Sequence, residues 1–159
     1  MALQIIIPGA PIAKARHRSM VRNGVIFNYD SQEQIKKAYK LQLIQILNSI
    51  EDSKDRNMFE MQQDLQLVKG SDSFEVDILF CMPIPKTVSK KKAPLLLNGQ
   101  IKHDKKPDCD NLLKMILDVG NGILWPDDRQ IFRLNCEKRY SENPCTIVSI
   151  EGYSKQEEI

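Results

Sequence analysis

The stretch KPDCDNLLKMILDVGNG, residues 106–122, constrains the fold more than any other part of the chain. Leu112, Leu113, Met115, Ile116, Leu117 and Val119 predict a helix that is apolar on almost every side, stopped by Gly120-Asn121-Gly122. With each residue advancing about 100° and Asn111 set at zero, Lys114 falls at about 300°, Asp118 at about 340° and Asp110 at about 260°. A helix of this kind is buried, with one charged edge left open. Because an unpaired buried Lys or Asp is costly, that edge must face a cleft or other charges.

Two local roles would make the edge purely structural. Asp110 suits an N-cap, and Lys114 and Asp118 have the spacing of an ion pair one turn apart. Neither role accounts for Asp108. In an extended approach to the helix, Asp108 and Asp110 project to the same side, with Cys109 pointing away. A second acidic pair, Asp127 and Asp128, stands in the turn WPDDRQIF, where ordinary turn chemistry after Pro126 is the plainer role. Together the four aspartates, with no histidine and no CxxC pair nearby, form a hard, all-oxygen donor set that favours Mg²⁺ or Mn²⁺ over zinc. Cys81, Cys109, Cys136 and Cys145 are spread along the chain, as are His17 and His103, so the thiols are expected reduced and buried.

Net charge is +2, but it is unevenly placed. Residues 86–106 carry seven lysines against Asp104, a local +6, and residues 1–30 carry Lys14, Arg16, Arg18 and Arg22 against Asp30, a local +3. The remainder is therefore −7. A lysine run is ordinarily a solvated loop. Two basic segments around an acidic cluster instead fit a polyanion, with the cation activating water and the lysines gripping a phosphodiester backbone.

The rest of the chain reads as one domain over residues 1–159. LQIIIPG is a first strand, and RHRSM and VIFNY form a hairpin about Asn23-Gly24. Ser31, with Gln34 as capping-box partner, opens a helix over 32–49 whose apolar face is Ile35, Ala38, Tyr39, Leu41, Ile44 and Ile46. MFEMQQDLQLV is a short helix, with Met58, Phe59 and Met61 as packing or dimer-contact residues. FEVDILFCM is a strand, followed by an irregular lysine-rich loop to Pro107. Residues 130–140 and 146–153 are strands expected to pair as a hairpin around Glu142-Asn143-Pro144. Trp125 reads as a core or interface aromatic rather than a wedge between bases. The expected class is α/β (α+β), a mixed sheet with two main helices packed on it. No apolar run is long enough to cross a bilayer, and MALQIIIPGA reads as a strand rather than a signal peptide, so a cytoplasmic location is expected.

These pieces resemble the signature of RusA-type Holliday junction resolvases, including their phage and prophage relatives. The resemblance rests on KPDCDNLLKMILDVGNG and PDDRQI, on PGAPIAKARHR, FCMPIPKTVSKKK and KRY, and covers most of the chain outside roughly 51–72. It implies a homodimeric endonuclease that makes paired nicks in four-way DNA junctions with Mg²⁺ (Mn²⁺ as the alternative), without a nucleotide cofactor or a membrane. Carried across by residue, Asp108, Asp110 and Asp128 are the essential carboxylates, with Asp127 as a further metal-ligand candidate, and Lys114 is the essential lysine. Asp118 occupies another acidic position of the pattern. Family members often have Leu in place of Cys109, and Ala-Leu in place of Val119-Gly120.

Read from the residues, Lys114 neutralises charge on the phosphorane or positions water or the leaving oxygen, and Asn111 orients a carboxylate. Lys14, Arg16, Arg18, Lys90, Lys91, Lys92, Lys102, Lys105 and Lys106 are the expected phosphate contacts. Two other functions compete. One is a junction-binding module whose acids are structural, against which the intact set of Asp108, Asp110, Lys114 and Asp128 argues. The other is a Mg²⁺-dependent nucleotide phosphohydrolase, which would want a Gly-rich phosphate loop that the chain lacks.

Overall fold

The computed structural model describes residues 2–15, 18–55 and 58–155, with side chains for all of these except 18 and 27–29. Its centre is a four-stranded mixed sheet with the order β1-β6-β4-β5, formed by β1 (Leu3–Pro8), β4 (Ser73–Pro83), β5 (Ile131–Ser141) and β6 (Cys145–Tyr153). Alternation builds one face: Leu3, Ile5 and Ile7, then Phe74, Val76, Ile78 and Phe80, then Val148 and Ile150 all point into the core. Each such side chain stabilises the fold by about 2 kcal/mol through removal from water. Helices α1 (Glu33–Glu51), α2 (Phe59–Lys69) and α4 (Cys109–Gly120), with Leu124 and Trp125 just beyond α4, contribute most of the rest of that core. The mixed sheet with helices packed on it is the class the sequence predicts. Among the described residues, no helix is long and apolar enough to cross a membrane.

Strands β2 (Arg18–Arg22) and β3 (Val25–Tyr29) pair as the expected hairpin, a separate two-stranded ribbon. Its turn places Asn23 at φ 51° and Gly24 at φ 76°, the left-handed pair that a tight hairpin requires.

Four expectations are corrected. β5 and β6 do not pair with one another: β6 inserts between β1 and β4, and β5 runs parallel to β4 on its other side. The turn over 142–144 therefore steps across the end of β4 instead of closing a hairpin. In α1 the buried side chains are Tyr39, Leu43, Leu47 and Ile50, while Ile35, Leu41 and Ile44 are exposed. No capping box forms at its start. Gln32 is the N-cap, without a side-chain bond to the helix, and its amide is spent on Ala13 and Ala15 instead. The lysine-rich segment contains a short helix, α3 (Ala93–Leu97), with Pro94 in its first turn.

The thiols depart in part from expectation. All four are free, but only Cys81 is fully buried. Met58 and Met61 are half-buried against the core, whereas Phe59 is exposed.

Candidate active site

Helix α4 holds the site because its sequence leaves it no other orientation. Leu112, Met115, Ile116 and Val119 are at most 1% exposed, so the opposite edge, with Asp110, Lys114 and Asp118, must look outward. The helix begins after a cis Lys106–Pro107 bond, with Asp108 extended as the N-cap. The Asp108 carboxylate makes no capping bond to the helix, so its oxygens are not spent on backbone N–H groups. Asp108 and Asp110 are both exposed, and an open groove of about 540 Å³ is lined by Lys106, Pro107, Asp108 and Asn111.

The ion pairs differ from those the spacing predicts. Lys114 Nζ lies 3.3 Å from Asp110 Oδ2, one turn back, and not on Asp118. Asp118 is taken by Lys14, and Lys36 Nζ lies 3.7 Å from the same oxygen while also pairing with Asp30. Asp30 holds the Lys36 ammonium above its ordinary pKa, chiefly through that hydrogen bond. The N-terminal segment is fixed along with it: the Lys14 N–H donates to the Asn111 carbonyl at 2.8 Å, and Gln32 Nε2 donates to the Ala13 carbonyl at 3.0 Å. Lys14 therefore fastens the incoming chain to α4. Arg16 lies outside the described residues, and the Arg18 side chain is likewise not described.

Asp127 and Asp128 sit at the other end. A twelve-residue helix is about 18 Å long, and this turn follows its last residue. Trp125, 2% exposed, packs so closely on Gly120 that a Cβ there would stand 2.9 Å from its ring. Its Nε1–H donates to Asp128 Oδ1 at 2.6 Å. Asp127 accepts the Arg129 backbone N–H at 3.0 Å and faces the Arg129 guanidinium at 3.4 Å. Trp125 is thus a core residue, as expected, and also the residue that aims Asp128, a role signalled only by the three-residue spacing between them. Among the described residues, no three His, Cys, Asp or Glu side chains are grouped so as to hold a metal ion. Asp108, as the N-cap, and Asp110, in the first turn, are both exposed at the start of α4, whereas Asp127 and Asp128 follow its other end.

Lys90, Lys91, Lys92, Lys102, Lys105 and Lys106 are all exposed, Lys105 beside Asp104 at 3.7 Å. The end of their segment is anchored by Lys138 of β5, whose ammonium donates to the Pro107 carbonyl at 2.8 Å and the Lys105 carbonyl at 2.9 Å. Sequence reading missed this anchor, since a lysine in the middle of a strand looks solvent-facing. The His103 ring packs against Tyr140 at 4.6 Å, tilted by 43°, and burial together with Lys138 lowers its pKa.

The chain matches the family described as "Endodeoxyribonuclease RusA" over residues 8–151. It is also 29% identical over 154 residues to "Uncharacterized protein YqaN" of Bacillus subtilis (strain 168), an alignment covering 96% of this chain and 97% of that protein.

Proposed function

The chain belongs to the RusA endodeoxyribonuclease family, and on that premise we propose that it resolves four-way DNA junctions as a Mg²⁺-dependent homodimer making paired, symmetric nicks. Membership makes it a nuclease acting on DNA, of a family that resolves Holliday junctions and implies a divalent metal ion. The observation that carries the finer reading is the placement of two exposed, uncapped carboxylates beside an ammonium at the open end of a buried helix.

Among the described residues of a single copy, no three His, Cys, Asp or Glu side chains are grouped to hold a cation, and α4 stands between its two acidic pairs. The reading therefore needs two copies. Asp108 and Asp110 of one would meet the partner's Asp128, with Asp127 beside it, at each of two equivalent sites. Such a donor set suits Mg²⁺, with Mn²⁺ as a substitute. Bound there, the ion would supply Lewis-acid activation of water and charge stabilisation at the phosphate. Two equivalent sites are also the simplest means of cutting two opposed strands.

The protein's own groups have separate tasks. Lys114 has Asp110 as its ion-pair partner. An Asp110 carboxylate engaged by a cation would release that ammonium toward the scissile phosphate, where it offsets negative charge in the transition state. Lys90, Lys91, Lys92, Lys102, Lys105 and Lys106 would hold the DNA backbone, joined by Arg16 and Arg18. Lys14, occupied by Asp118, would keep α4 in place instead.

Incubation of synthetic four-way junctions with the protein and Mg²⁺, beside linear duplex and free nucleotides, tests the reading. Symmetric nicks near the crossover are expected on the junction alone. Tight junction binding without nicking under Mg²⁺ and Mn²⁺ would contradict it. Lys114→Ala should lower nicking by at least about a hundredfold. Loss of its exposed pair should cost under about 0.5 kcal/mol of stability, and calorimetry should show cation binding retained.

A further inference from the structure

The four cysteines are scattered in sequence but meet as two pairs. Cys81 and Cys145 stand opposite each other across β4 and β6. Cys109 and Cys136 bring their sulfurs to 3.3 Å, joining the first turn of α4 to the middle of β5. The second pair matters more, because Cys109 lies between Asp108 and Asp110. Two residues beyond Cys136, Lys138 binds the carbonyls of Lys105 and Pro107, so the same stretch of β5 holds the chain that enters the site.

We propose that Cys109 and Cys136 form a reversible modification site, oxidised by low-molecular-weight disulfides to a bond that pulls the first turn of α4 onto β5 and suppresses nicking. The suppression rests on the reading of Asp108 and Asp110 given above; formation of the bond does not. The reaction balances as two exchanges. The Cys109 thiolate attacks the reagent's disulfide, forming a mixed disulfide and releasing one small thiol. The Cys136 sulfur then attacks the Cys109 sulfur and releases the second. The protons of the two cysteine thiols end on the two released thiols, and the reagent takes up the electron pair.

Cys136 is a poor first nucleophile. Burial, reinforced by the bond between the two thiols, pushes the Cys136 thiol up to about 11. Closing the sulfurs from 3.3 Å to the bonded separation of about 2.05 Å moves the helix start by about 1 Å, enough to misplace a catalytic carboxylate. Disulfides in reducing compartments are typically transient and redox-sensing, which fits a reversible pair beside a site.

The test treats the full chain with oxidised glutathione, blocks residual thiols, and maps peptides without reduction. The expected product links Cys109 to Cys136 and slows amide hydrogen exchange in residues 111–115. Nicking falls by at least about tenfold and returns with dithiothreitol. Cys109→Leu yields no such link, and its nicking is insensitive to the oxidant. A Cys81–Cys145 link alone, glutathione left on Cys109 without closure, or a linked protein that nicks at the reduced rate would each overturn the proposal. A reduced protein that cuts no junction defeats the nuclease reading instead, and the peptide map and exchange data then decide the bond by themselves.

Discussion

Asp110→Asn should abolish nicking of four-way junctions while leaving junction binding intact or tighter. The expected loss is at least about a hundredfold, or about 2.7 kcal/mol of barrier. The substitution removes one anionic oxygen from the proposed cation site without changing the size of the side chain. The fold has little stake in this residue: its carboxylate is exposed and pairs with exposed Lys114. That pair is worth under about 0.5 kcal/mol and the helix dipole up to about 1 kcal/mol, so melting should move by no more than about 3–6 °C. Binding should hold because one negative charge near the phosphates has gone. Gel-shift and nicking assays on one preparation check both halves, and an Asp110→Asn protein that nicks normally would remove this residue from the chemistry.

Trp125→Ala should be among the most destabilising single substitutions in the chain. The indole is 2% exposed and packs against Gly120 at the junction of α4 with the 121–130 turn. Emptying such a site costs about 3–5 kcal/mol, lowering the melting temperature by about 10 °C or more. Trp125→Phe separates packing from hydrogen bonding. It keeps most of the ring but deletes the Nε1–H that holds Asp128 at 2.6 Å. Its stability loss should be smaller than that of Trp125→Ala, while its nicking falls because Asp128 is no longer aimed. Thermal unfolding by circular dichroism, with nicking measured below the transition, checks this. A Trp125→Ala protein melting with the wild type would contradict the packing assigned here.

What the sequence revealed, and what it hid, follows from whether the cause is local. Helix α4 was legible because Leu112, Met115, Ile116 and Val119 repeat with helical period and Gly122 adopts the left-handed φ that ends it. Helix α1 was legible in extent but not in orientation. Apolar residues stand around most of its circumference, and contact with β1, α2 and α4 selects Leu43 and Leu47 over Leu41 and Ile44. The three-residue turn at 142–144 carries hairpin residues, yet β6 is claimed by β1 and β4, a pairing set by distant parts of the chain. The residue types of the candidate site were readable, as was the exposed edge that carries Asp110 and Lys114 on α4. The partners were not. Asp110 and Asp118 both lie one turn from Lys114, and the approach of Lys14 and Lys36 leaves Lys114 with Asp110. The sequence leaves open whether one copy or two supply the two acidic pairs, and the length of α4 argues for their separation within one copy.

Mixing two inactive proteins, Asp110→Asn and Asp128→Asn, tests the account's central claim most directly, that each site is shared between copies. In a mixed dimer one site carries both substitutions and the other carries neither. The mixture, after subunit exchange, is therefore predicted to regain nicking of one strand per junction, with no paired cuts from the mixed species. A mixture as inactive as its parents, with mixed dimers demonstrated by native mass spectrometry, would contradict the shared site.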